Sequence, residues 1–151
     1  MAIYSKEEQL ELIKITWGNI KKIDNQYEEV CLEAVKQQAL AIQYINMKTE
    51  EICLEAVRQY GWTLQYIENQ TPKICLEAVR QYGKALKYVK EQTAEICLEA
   101  VKQDGMAIKY VKEQIEEICL EAVKREGKTI KKVRNKTPKL CFLAFLNKIR
   151  R

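Results

Sequence analysis

Residues 71–92 read TPKICLEAVRQYGKALKYVKEQ, and most of the chain repeats this 22-residue unit. The cysteines mark its phase: Cys31, Cys53, Cys75, Cys97, Cys119 and Cys141 are each 22 residues apart. The string Cys-Leu-Glu-Ala-Val recurs unchanged at Cys31–Val35, Cys53–Val57, Cys75–Val79, Cys97–Val101 and Cys119–Val123. A sixth copy is altered to Cys141-Phe142-Leu143-Ala144-Phe145, and a degenerate one, Gln9 to Ile13, precedes them all in the same register. A short, fixed period is the signature of a solenoid, in which no unit buries its apolar faces alone and stacking supplies the core.

Each unit carries the punctuation of two helices. Thr71 supplies an N-cap hydroxyl and Pro72 a first helical residue whose missing N–H is not needed there. Thr49, Thr93 and Thr137 hold the same place, and Glu51, Glu95 and Glu117 put negative charge in the first turn. Gly61, Gly83, Gly105 and Gly127 follow about ten residues later, where a left-handed C′ residue is expected. The reading is a helix A over about Pro72 to Tyr82, a glycine turn, and a shorter helix B over about Lys84 to Gln92. On a helical wheel Ile52, Cys53, Leu54, Ala56, Val57 and Tyr60 spread much wider than the stripe of an ordinary surface helix. Such a helix has neighbours on several sides. Glu33, Glu55, Glu77, Glu99 and Glu121 each precede a Lys or Arg by three residues, the spacing of exposed pairs within one helix.

The fold class is therefore all-α, an α-solenoid of about six to seven helix-turn-helix repeats in a single domain, 1–151. Residues 5–27 form a degenerate capping repeat opened by the Ser5-to-Glu8 capping box. Residues 28–138 form five regular repeats, and 139–151 an apolar and basic half-repeat helix. The N-terminus lacks the apolar core of a secretory signal, and no uncharged run approaches the ~18 residues of a membrane span. The expected setting is cytoplasmic, with no membrane contact.

The repeat also bears on chemistry. Cysteines one helix spacing apart, about 9 Å, lie beyond the ~4.4–6.8 Å Cα separation of a disulfide. Zinc sites need closely spaced ligands, and this chain has no histidine. The cysteines read as small buried hydrophobes, and free thiols suit a reducing compartment. Without histidine, a phosphate-binding loop or a dinucleotide fingerprint, the expectation is no enzyme, no catalytic residues, no metal and no cofactor.

Function is sought where repetition fails. On helix B the series Gln43, Gln65, Lys87, Lys109, Lys131 turns from neutral to basic. Beside it Tyr44, Tyr66, Tyr88 and Tyr110 recur until Lys132 replaces them, and they read as core-edge residues with wet hydroxyls. Residues 124–151 carry eleven Lys or Arg and one acid, a net +10, while the first 123 carry fifteen bases and twenty acids, a net −5. Lys128, Arg134, Lys136 and Lys139 complete a basic partner surface with Lys87, Lys109, Lys131 and Lys132. In the final helix Phe142, Leu143, Phe145, Leu146 and Ile149 make an apolar face where terminal repeats usually turn polar. An exposed apolar patch marks an interface, here expected to be self-association as a two-fold homodimer.

The unit Thr71 to Gln92, and with it about residues 28–146, resembles a family of 22-residue cysteine-containing helical repeats known from giant DNA viruses and some intracellular bacteria. That family is a domain of unknown function. The resemblance implies a viral or bacterial protein acting in a host cytoplasm, and carries over no functional residues. The sequence thus points to a non-enzymatic repeat scaffold mediating protein–protein interaction through the C-terminal helix. The alternative is a nucleic-acid-binding protein using the basic C-terminal region.

Overall fold

A computed structural model describes residues 4–149. Seven α-helices recur through it: α1 (Lys6–Ile15), α2 (Glu28–Gln37), α3 (Glu50–Gln59), α4 (Pro72–Gln81), α5 (Ala94–Gln103), α6 (Glu116–Arg125) and α7 (Pro138–Ile149). Between them lie six 3₁₀ helices: η1 (Trp17–Lys22), η2 (Ala39–Tyr44), η3 (Gly61–Tyr66), η4 (Gly83–Tyr88), η5 (Gly105–Tyr110) and η6 (Gly127–Lys132). Each helix touches its own and adjacent units only, so the units stack as an α-solenoid with one row of α-helices and one row of 3₁₀ helices.

The long helices start where the caps dictate. The hydroxyls of Thr49, Thr71, Thr93 and Thr137 accept from the N–H three residues on, and Ser5 and Glu8 close a reciprocal capping box. Each repeat helix through α6 ends after ten residues at an extended residue, such as Tyr60 (φ −141°) or Tyr82 (φ −149°). That residue donates to the alanine carbonyl four back, and its own carbonyl accepts from the N–H three ahead, starting the 3₁₀ helix. Helix B is therefore tighter and shorter than the sequence suggested, η4 covering Gly83–Tyr88 alone. A three-residue turn suits the sequence, because Leu64 and Ile67, or Leu86 and Val89, then lie on one buried line.

The glycines correct a further expectation. No described glycine has a positive φ, so none is a left-handed cap. They are required by space. A Cβ on Gly83 would stand 2.5 Å from the carbonyl oxygen of Ala100, and one on Gly61 would strike that of Ala78 closer still. Stacking brings the opening of each 3₁₀ helix against the end of the next α-helix, and the glycine is where they meet.

The core repeats with the sequence. Ile74, Cys75, Ala78 and Val79 of α4, and the same positions of α2, α3, α5 and α6, are buried. Each fully buried Ile or Val contributes about 1.5–3 kcal/mol. Leu32, Leu76, Leu98 and Leu120 pack half-buried on its edge, as do Tyr44, Tyr66, Tyr88 and Tyr110. The ion pairs run otherwise than the sequence suggested. Of the five i, i+3 pairs in the regular repeats only Lys102–Glu99 forms, with Lys14–Glu11 at the same phase of the capping repeat, whereas Arg58 reaches Glu77 and Arg80 reaches Glu99 in the following unit.

Side-chain amides close the backbone between units. Gln92 Nε2 donates to the Leu86 and Tyr110 carbonyls at 3.3 and 3.0 Å, while its Oε1 accepts from the Lys112 N–H at 2.9 Å. Gln26, Gln70 and Gln114 repeat this bridge. A second series works at the α-helix ends, where Gln81 and Gln103 accept from the N–H of Gly61 and Gly83 in the preceding unit.

Two substitutions separate the roles of glycine. Gly83→Ala is expected to destabilise the fold by about 2 kcal/mol in urea denaturation, through overpacking. Gly18→Ala, whose Cβ would meet nothing nearer than Thr16 Oγ1 at 3.7 Å, should leave the midpoint unchanged or raise it slightly. Gln92→Leu should cost about 2 kcal/mol by orphaning the Tyr110 carbonyl and the Lys112 N–H. The exposed Gln65→Leu serves as its control, with little effect expected.

Candidate functional site

The repeated chemical group is the thiol, and its surroundings decide what it can do. Cys31, Cys53, Cys75, Cys97 and Cys119 are buried in the junctions between units. Three of them point at the bridging amides, with Cys31, Cys75 and Cys97 Sγ donating to Gln26, Gln70 and Gln92 Oε1 at 3.6–3.7 Å. Burial pushes the Cys31 and Cys53 thiols up to about 11 and raises those of Cys75, Cys97 and Cys119. A thiol held protonated is a poor nucleophile and a poor metal ligand. Among the described residues no three His, Cys, Asp or Glu side chains converge as a metal site. Cys141 differs from the others in being exposed.

That exposure is part of a larger opening at the end of the stack. Val35, Val57, Val79, Val101 and Val123 are 0% exposed because the next unit covers them. Their counterpart in the last unit is Phe145, which is 58% exposed, with Phe142 and Ile149 both at 63%. Leu143 and Leu146 are half-buried, Leu143 against the core, so the five residues singled out from the sequence divide into three open and two partly covered. Between η6 and α7 runs an open groove of about 590 Å³, floored by Gly127, Ile130, Ala144 and Phe145 and flanked by Lys128, Lys131 and Lys148. In the interior units the 3₁₀ helix of the same unit occupies this position against its α-helix. The sequence reading missed Gly127, Ile130, Ala144 and Lys148 as part of this surface. The signal was available, since Ala144 and Cys141 hold phases that are buried wherever another unit follows.

The basic residues differ in their surroundings. Lys87 and Lys109 lie over the rings of Tyr88 and Tyr110, at 4.5 and 4.6 Å, and the Tyr88 hydroxyl raises the Lys87 pKa. Arg134 is engaged in the fold, its Nη2 donating to the Val111 and Lys112 carbonyls at 2.6 and 2.8 Å. Lys128 pairs with Glu126 across the start of η6. Lys131, Lys132, Lys136 and Lys139 are exposed toward the C-terminal end. The tyrosines are half-buried core-edge residues, as their spacing suggested.

The opposite end carries the other charge. The outer face of α1 holds Tyr4, Leu12 and Ile15 beside Glu7, Glu8 and Glu11, and Ile15 is 78% exposed. No helix among the described residues is long and apolar enough to cross a membrane.

A family model described as a Domain of unknown function (DUF4116) matches the chain four times, over residues 27–70, 49–94, 71–115 and 93–136. The chain belongs to this family. Each DUF4116 match spans two units and begins at the N-cap of a long helix, at Tyr27, Thr49, Thr71 and Thr93. The family element is thus a stacked pair of repeats, which is the least that contains one complete junction with its glutamine bridge. The outer faces of α1 and α7 lie outside the DUF4116 matches. No curated protein and no solved structure matches the chain.

Thiol labelling of the native protein checks the burial. Near neutral pH Cys141 should react quickly and the other five only after denaturant is added. The raised thiols also set a pH dependence. Their protons are held more tightly in the folded chain, so the stability they favour is complete below the ordinary thiol range. It should fall as pH rises toward about 11, seen as a lower urea midpoint.

Proposed function

We propose that this DUF4116 protein is a non-enzymatic repeat scaffold that works through protein–protein contact, with the outer face of α7 as its contact surface and self-association as its form. One observation carries the reading: a phase that is 0% exposed in five units holds an aromatic residue 58% exposed in the last. A solvated end would keep a small or polar residue there. Phenylalanine beside a groove instead offers a desolvating anchor of the kind that dominates interface energetics. Ringing lysines supply the polar rim.

An enzymatic role finds no support in the residues. The buried thiols are held protonated, the glutamates lie in exposed or half-exposed rows, and the glutamines are bound to backbone. A cytoplasmic setting accords with thiols packed in every interior junction.

Light scattering of Phe142→Glu/Phe145→Glu against the parent tests the reading. The parent mass should exceed that of one chain and fall to it in the variant, with helicity unchanged in circular dichroism. A parent that stays monomeric across its concentration range and retains no protein partner would overturn it. Nucleic-acid binding through Lys131, Lys132, Lys136 and Lys139 is the rival reading, and an RNA titration against salt separates the two. Tight binding whose log affinity falls linearly with log salt would favour the rival.

A further inference from the structure

We propose that the partner of the α7 face is the α1 face of a second copy of this chain, so that molecules join head to tail. The inference rests on the reading of α7 as a contact surface and names what covers it.

Charge complementarity is the first argument. The C-terminal end offers Phe145 and Ile149 among Lys128, Lys131, Lys139 and Lys148, whereas the N-terminal end offers Leu12 and Ile15 among Glu7, Glu8 and Glu11. An α7-to-α7 contact about a two-fold axis would bring the first set of lysines against its own copy. Joining unlike ends pairs acid with base around an apolar centre.

The repeat register gives the second. At two interior junctions the last residue of one α-helix meets the glycine of the preceding unit, Gln81 Oε1 accepting from the Gly61 N–H at 2.6 Å and Gln103 Oε1 from the Gly83 N–H at 2.7 Å. Carried to the two ends, those phases are Ile15 on α1 and Ile149 on α7. The polar contact of those two junctions gives way at the ends to a pair of isoleucines, 78% and 63% exposed. The first turns agree. Lys73 reaches Glu50 and Lys6 reaches Glu29 between successive α-helices. At the joined ends the same offset sets Glu7 of α1 opposite Pro138 of α7, with the exposed Lys139 as the next residue.

Such a contact is heterologous, leaving a free α7 face on one end and a free α1 face on the other, so association continues past two chains. Two variants alter exposed residues outside the core: Glu7→Lys/Ile15→Arg on α1 and Phe145→Asp/Ile149→Asp on α7. Sedimentation velocity should give a parent mass that rises with concentration beyond a dimer and falls with added salt. Each variant alone should be monomeric, with unchanged circular dichroism. Mixed, they should form a one-to-one complex that grows no further, because together they hold one intact α7 face and one intact α1 face. An α1 variant that associates as the parent does, with the α7 variant monomeric, would overturn head-to-tail joining while leaving α7 as the contact. A parent that is monomeric throughout would overturn both.

Discussion

Every junction in this molecule depends on a side-chain amide doing the work of a backbone partner. Changing from α-helix to 3₁₀ helix and back within 22 residues leaves N–H and C=O groups that neither helix can satisfy. Gln26, Gln70, Gln92 and Gln114 close them by donating to one unit's carbonyls and accepting from the next unit's N–H. Burying those turns without the amides would cost about 1–3 kcal/mol for each orphaned group. With them, successive units come close enough that glycine is the largest residue tolerated at Gly61 and Gly83. The buried thiols belong to the same arrangement, since three of them donate to these amides.

Variation in the bridge is absorbed locally. In the second unit Lys48 holds the glutamine position and its Nζ donates to the Ile45 carbonyl at 2.7 Å. In the capping repeat Gln9 takes the place of the cysteine, is 1% exposed, and ties the Tyr4 and Asn25 carbonyls together. At the far end Asn147 reaches the Val123 and Lys124 carbonyls as Gln59 reaches those of Val35 and Lys36. The first and last units are therefore tied to their inner neighbours by amides, as the interior units are to each other. What distinguishes them is the side that faces away.

That outward side is where the proposed contact lies. Interior units spend both faces on neighbours, and some of the exposed Glu, Lys and Arg pair between units. Exposed apolar residues mark both ends, Phe142, Phe145 and Ile149 at one and Ile15 at the other. Shared repeat sequence builds the rod, and the two departures from it give the rod ends that differ in charge.

The sequence by itself determined the period, the all-α class, the caps and most of the core, because a repeated pattern has only one phase in which its apolar residues stack. It also located the final helix as the place where repetition fails. Tertiary structure decided what adjacency decides. The i, i+3 charges suggested pairs within a helix, but Arg58 and Arg80 pair across units, since stacked helices offer carboxylates as near as the next turn does. The glycines suggested a backbone conformation and proved to be matters of clearance, which no local pattern encodes. Phe145 is legible as large and apolar from sequence alone. That it is open depends on what packs against α7, and the groove beside it exists only once η6 and α7 are packed.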